Sequence, residues 1–386
     1  MHTTPRTAAA VALCLALTAC ADDAAGPTQR EPAWQTAAVQ AMSDVRDAPA
    51  RDETCRQMLR TTVGGTRIRL RLSNVMSSTP LSLGAVTIGL RQSGAAVAAP
   101  PSRVTVDGSP KVDIAAGKHV TTDPIDLRIT AGDDIAVTFA VTGTATLSEH
   151  LVSAATGWCT RAGAGDHTTD TGATAFTVAS REGFVVEAVE VSTPTSRRDG
   201  ILAVGDSLTD PPLPPDTYER WTDVIAATGA AVANVAIGGN RVMRPGGYGR
   251  TLTERFADDL LDRPGAGTLI LFAGTNDVSA GVTAAELTGR LGELLQQAKA
   301  HGLRVMVVTL VPAWKRSPAK EQVRQAVNSW IRTTPYADLR VDADKLLRDP
   351  ARPTHLLPAY DFGDGLHLSA AGNRVLGQAI AGVLAG

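Results

Sequence analysis

Four short blocks in the C-terminal half of the chain hold the residue types that acyl transfer requires. They are Gly205-Asp206-Ser207-Leu208, Gly238-Gly239-Asn240, Gly274-Thr275-Asn276-Asp277 and Asp364-Gly365-Leu366-His367. A serine hydroxyl is nearly inert at neutral pH and attacks only when a base within hydrogen-bond reach takes its proton. Ser207 is the candidate nucleophile. His367 is its candidate base, because among the histidines of this half it alone sits in a tight loop with a carboxylate, Asp364, three residues earlier. That carboxylate would orient the imidazole and favour its charged form in the transition state. Gly239 can offer a backbone N–H with no side chain in the way, and Asn276 two side-chain N–H donors; fixed donors of this kind are worth about 3 kcal/mol each at a developing oxyanion. Singly, each block is ordinary turn chemistry. All four in this order make a site.

The elements between the blocks are those that would bring them together. Apolar runs at 201–204, 232–237, 268–272, 304–310 and 339–341 alternate with stretches of helical length and period at 218–228, 251–261, 283–301, 319–333 and 369–384. Strands alternating with helices predict right-handed crossovers and a parallel sheet covered on both faces. Ligands of such sheets sit at the carboxyl ends of the strands, where the four blocks fall. Ser207 follows the first run and precedes a helical stretch, so its hydroxyl is expected near the N–H groups of a helix start.

This constellation resembles the SGNH hydrolase family, also called GDSL esterases and lipases, over residues 200–386. The resemblance implies a flavodoxin-like sheet with strand order 2-1-3-4-5, no metal, no cofactor, and ester hydrolysis through an acyl-enzyme. It assigns Ser207, His367 and Asp364 as the catalytic triad, and Ser207, Gly239 and Asn276 as the oxyanion hole. Ala236 stands where many members have Gly, and Leu368 where Pro often follows the His; neither change removes a catalytic group.

Upstream, residues 53–195 alternate at period two, as in Thr66-Arg67-Ile68-Arg69-Leu70-Arg71-Leu72, with Gly-Gly, Asp-Gly and Ala-Gly between runs. Short alternating strands predict an antiparallel β-sandwich. It resembles the sandwich that precedes the hydrolase in one actinobacterial branch of the family. A chain of 386 residues exceeds one ordinary core, which agrees with two folded parts, the second spanning 196–386.

The first twenty residues carry one Arg followed by an apolar run too short to span a bilayer, ending in Leu17-Thr18-Ala19-Cys20. This resembles a lipoprotein signal with Cys20 as the lipidated residue, and predicts an exported protein held at the extracytoplasmic face of the membrane by its lipid. Residues 21–52, rich in Ala, Asp and Pro, read as a tether. Cys14 lies in the signal, leaving Cys55 and Cys159 as the thiols of an exported chain, and these are expected to pair.

Lys plus Arg total 37 against Asp plus Glu 39, so no cationic excess exists to neutralise nucleic acid. Nothing in the sequence sets an oligomeric state. The substrate expected is a small-molecule or polysaccharide ester with a short acyl group, acetyl above all. The alternatives are a lipase, lysophospholipase or thioesterase of the same family, and a surface carbohydrate-binding protein whose hydrolase half is silent.

Of the remaining residues that could act, His301 reads as a helix cap and Asp206 as a turn former. Asp277 is expected to organise its own loop by Asx-type bonding. Trp314 reads as a cleft aromatic and Trp330 as a core one. His150 and His167 default to the surface, with a route to the cleft if the two parts pack there. The run 211–215, PPLPP, reads as a stiff surface loop.

Overall fold

The computed structural model describes residues 1–2, 33–194 and 198–386. The signal segment with Cys14 and Cys20 lies outside the described residues, as does the start of the expected tether. No described helix is long and apolar enough to cross a membrane.

In the C-terminal half, five parallel strands stand in the order Val232–Asn234, Gly200–Gly205, Ala266–Phe272, Arg304–Val308, Leu339–Val341, which is 2-1-3-4-5 in chain order. Their apolar runs are continuous because both faces are covered. Leu202, Val204, Leu269, Leu271, Val305 and Val307 enter one core, and the alternate residues Ile201, Ala203, Ile270, Phe272, Met306 and Val308 enter the other. Helices Ala284–Ala300 and Pro318–Thr333 cover the first core. Helices Trp221–Ala226 and Ala370–Ala385 cover the second.

Several elements end earlier than their apolar runs predict. The second strand stops at Asn234, whose Oδ1 accepts the Ala236 N–H and whose amide donates to the Thr209 carbonyl. The fourth stops at Val308, because the Asn328 amide takes both the Leu310 N–H and its carbonyl. These two side chains replace strand partners and turn the chain at the carboxyl edge of the sheet.

The front half is an antiparallel sandwich. One sheet pairs Val186–Thr193 with Ala33–Val39 on one side and Gly65–Ser73 on the other. The facing sheet is built around Asp134–Val141 between Thr54–Arg60 and Leu81–Ser93. Ile68, Leu70, Leu72, Ile88, Val137, Phe139, Val189 and Val191 fill the space between the two sheets. Cys55 and Cys159 face each other across neighbouring strands and form a disulfide.

The expected tether is corrected in part. Residues 33–39 are a sheet strand, and 44–45 and 50–51 form shorter ladders. Ala37, Ala38, Ala41, Met42 and Ala50 are buried there. An Ala-rich stretch shows little hydrophobic periodicity, yet its small side chains fit where two layers approach closely.

Residues from Pro32 to Gly386 form one compact unit. The sandwich is joined to the parallel sheet by hydrogen bonds of Thr36 to the Pro264 carbonyl and of Thr62 to both polar groups of the Val232 backbone. Buried Glu187 adds an ion pair to Arg263 of the hydrolase half. The Gly249 N–H, close to the predicted oxyanion turn, donates to the Ser43 carbonyl at 2.8 Å.

Candidate active site

Strand Gly200–Gly205 delivers Asp206 and Ser207 into a tight turn. The Thr209 and Asp210 N–H groups donate to the Asp206 carbonyl at 2.9 Å, and the Leu208 N–H to its side chain at 3.0 Å. Asp206 therefore shapes the turn. No helix follows directly; the next begins at Trp221. Pro211, Pro212, Pro214 and Pro215 lack the N–H a helix needs, so the helix start expected beside Ser207 is absent. The proline run is no free surface loop either, since Leu213 is buried and Arg181 of the sandwich donates to its carbonyl.

His367 reaches the same point from the loop before the last helix. Its Nε2 lies 2.8 Å from Ser207 Oγ and its Nδ1 lies 2.5 Å from Asp364 Oδ2. The other oxygen of Asp364 accepts the N–H groups of Leu366 and His367, both at 2.9 Å. Burial opposes ionisation of Asp364, but the His367 ring and these two N–H groups outweigh it and hold the carboxyl below the usual range. The loop is closed by the Phe362 N–H on the His367 carbonyl. It is also closed by Trp314, whose indole nitrogen occupies the place a Cβ on Gly365 would take, and Gly365 has φ +83°, which favours glycine. Trp314 is itself exposed.

The two remaining blocks meet on the other side of Ser207. The turn Gly238–Gly239 passes beside it, with the Cβ position of Gly238 only 4.0 Å from the Ser207 Cβ. Gly239 adopts φ +73°, and a Cβ there would strike the Tyr248 ring at 2.8 Å. Asn276 opens the helix Thr275–Ser279 and donates Nδ2 to the Asn240 carbonyl at 2.9 Å, which ties the second block to the third. The amide carries two N–H groups, so one remains for a ligand.

Asp277 does not organise its own loop. Its carboxylate accepts the Val242 and Met243 N–H groups at 2.8 and 3.1 Å and so fixes the segment after Asn240. Burial raises its pKa, and burial pushes that of Asp206 up to about 6, with the Asp277 charge adding to it.

Beneath the Ser207 turn lies a cluster that sequence reasoning missed. Asp210 is held by Arg220 at 3.1 Å and by His150 of the sandwich at 3.4 Å. Burial opposes the Asp210 charge, yet Arg220, His150 and the Gly238 N–H offset it and keep the carboxyl below its usual range. His150 is thus buried between the two halves rather than on the surface. The signal was an acidic residue three places after Ser207, which has no local partner in sequence. His167 bonds Asp170 within the sandwich, and His301 caps its helix through the Gln297 carbonyl, as expected. Trp330 is partly buried against the core under the sheet.

Among the described residues, one grouping of His, Cys, Asp and Glu is tight enough for a metal ion: Glu53 with Cys55 and Cys159, whose sulfurs are already bonded to each other.

Residues 203–375 match the sequence profile of the GDSL-like lipase/acylhydrolase family. The chain has no match among curated proteins. Among solved structures it is similar to a lipolytic protein of the G-D-S-L family from Desulfitobacterium hafniense, at 20% identity and TM-score 0.41 over 48% of this chain and 99% of that one. It is also similar to an acetyl xylan esterase from Geobacillus stearothermophilus, at 21% identity and TM-score 0.39 over 50% of this chain and 98% of that one. A GDSL-like lipase from Bacteroides thetaiotaomicron is similar at 18% identity and TM-score 0.40, over 50% and 92% of the two chains.

Proposed function

We propose that this protein, whose residues 203–375 match the GDSL-like lipase/acylhydrolase family, is a serine ester hydrolase in which Ser207, His367 and Asp364 act as the catalytic triad. The observation that carries the reading is the unbroken chain of contacts, 2.8 Å from Ser207 Oγ to His367 Nε2 and 2.5 Å from Nδ1 to Asp364. With Nδ1–H donated to Asp364, Nε2 is left as the acceptor for the Ser207 proton. Ser207 Oγ attacks the ester carbonyl carbon while His367 takes that proton. The tetrahedral oxygen is met by the N–H groups of Ser207 and Gly239 and by the second N–H of Asn276. Collapse expels the alcohol, protonated by His367, and leaves an acyl-enzyme that water cleaves by the same steps in reverse.

The substrate is an ester with a short acyl group, acetyl above all, on a small molecule or a polysaccharide. The exposed position of Trp314 beside the Asp364–His367 loop supports a saccharide alcohol, since an aromatic face suits a sugar ring. The protein is exported and anchored through Cys20; the Cys55–Cys159 disulfide supports an oxidising compartment.

The test compares wild type with Ser207→Ala on 4-nitrophenyl acetate and on long-chain 4-nitrophenyl esters, and locates the residue labelled by a fluorophosphonate. Wild type is expected to favour acetate, the variant to lose turnover, and the label to sit on Ser207. Turnover persisting in the variant, or a label elsewhere, removes the reading.

A further inference from the structure

A cavity of about 570 Å³ opens directly beside the triad. It lies between the helix that carries Asn276, through Ser279 at its end, and the loop that carries Asp364 and His367. The rest of its wall comes from the segment after the fourth strand, with Lys315, Arg316, Ser317 and Lys320. Three cations therefore line one small space on a chain whose net charge is −2.

None of the three has a carboxylate partner within ion-pair range among the described residues. Lys320 donates Nζ to the Ser279 carbonyl, and Arg316 donates to the Thr275 hydroxyl and the Val311 carbonyl. The Arg316 Nε is buried and has no partner. Elsewhere, the buried guanidinium groups of Arg263 and Arg324 are paired with Glu187 and Asp344, while that of Arg56 is held by the Thr138 hydroxyl and the Ala95 and Asp170 carbonyls; such partners offset the cost of burying the charge. The nearby carboxylates are already engaged: Glu321 by Arg324 and Gln325, and Asp364 by His367 and two N–H groups. Burial weakens the Arg316 charge, lowering its pKa to about 10, which still leaves it cationic at neutral pH. Arg316 also touches Thr275, the residue beside Asn276, so a ligand held here lies next to the oxyanion donors.

We propose that the cleft lined by Lys315, Arg316 and Lys320 is a substrate subsite for a carboxylate, and that the ester hydrolysed at Ser207 carries that carboxylate on its acyl or its alcohol part. The Arg316 guanidinium, tied by two donors and with its Nε unpartnered, and the two ammonium groups beside it recognise an anion through charge-assisted hydrogen bonds, which are about twice as strong as neutral ones. The inference rests on the esterase reading, and its test separates the two.

Two matched pairs decide it. On the acyl side, 4-nitrophenyl hydrogen succinate is compared with its methyl ester; on the alcohol side, an acetylated methyl galacturonoside is compared with its methyl ester. In one pair the free acid is expected to show at least about a tenfold higher kcat/KM, carried by KM and reduced by added salt. That ratio is expected to fall toward one in the double variant Lys315→Ala, Lys320→Met. Equal or better turnover of the methyl ester in both pairs overturns the subsite, as does a ratio that survives the double variant. If wild type hydrolyses no ester at all, the esterase reading has failed by itself. Calorimetric titration of Ser207→Ala with monomethyl succinate and with methyl galacturonoside then decides: affinity lost in the Lys315→Ala, Lys320→Met background keeps the subsite, and no binding rejects it.

Discussion

The imidazole of His150, in the sandwich, stands 3.4 Å from the carboxylate of Asp210, which ends the turn holding Ser207. Its two ring nitrogens also lie 2.8 and 3.0 Å from the carbonyls of Ala41 and Val152. Arg220 completes the arrangement by bonding both Asp210 and the Val152 carbonyl. A buried polar cluster of this kind fixes position only while every member is present. His150→Ala is therefore expected to lower stability by about 1–3 kcal/mol. It should also reduce kcat on 4-nitrophenyl acetate several-fold with little change in KM, because the turn it steadies carries the nucleophile. Thermal melts and steady-state kinetics check both parts. An unchanged kcat in a folded variant would mean that the cluster holds the two halves together and nothing more.

Asn276 is the side-chain oxyanion donor of the proposed mechanism. Asn276→Ala should cut kcat by roughly 10²–10³ while leaving KM nearly unchanged. The Gly238–Asn240 turn loses one hydrogen bond in the same variant, so circular dichroism and a thermal melt should accompany the kinetics.

Asp206 links pH to stability. Its carboxyl is fully buried, one oxygen has no partner, and burial with the Asp277 charge pushes its pKa up to about 6. A raised pKa means that the folded state prefers the protonated form. The stability this gives is complete below the unfolded value of about 3.9 and is lost as pH rises through about 6. Asp206→Asn removes the buried charge while an oxygen remains for the Leu208 N–H. It is expected to raise the melting temperature at pH 8, by up to about 3 kcal/mol in free energy, and to change little at pH 4. A variant that melts lower than wild type at pH 8 would contradict this.

The Cys55–Cys159 bridge closes a loop with a sequence separation of 104. Loop-closure entropy assigns such a bridge about 4.7 kcal/mol. Cys55→Ala with Cys159→Ala should lower the urea midpoint accordingly, and reductant should do the same to wild type but not to the double variant.

That Ser207, His367 and Asp364 meet was legible in the sequence because the residue types that acyl transfer would need are few. A nucleophile, a base with a carboxylate three residues before it, and amide donors can be recognised wherever they occur in order. The parallel strands were legible for a related reason: a strand covered on both faces must be apolar throughout, as 269–272 is. The strand at 33–39 was not, since Ala-rich sequence states neither a period nor a partner, and only packing against Val186–Thr193 makes it a strand. Asp277 looked local and acts on Val242 and Met243, and His150 looked superficial and lies under the nucleophile turn. The cations without carboxylate partners beside Asp364 were equally unreadable, because whether Arg316 has such a partner depends on what folds next to it. Residue identity determines which reactions a chain can attempt. Pairings between distant segments set each group's solvation and partners, and no local pattern records those.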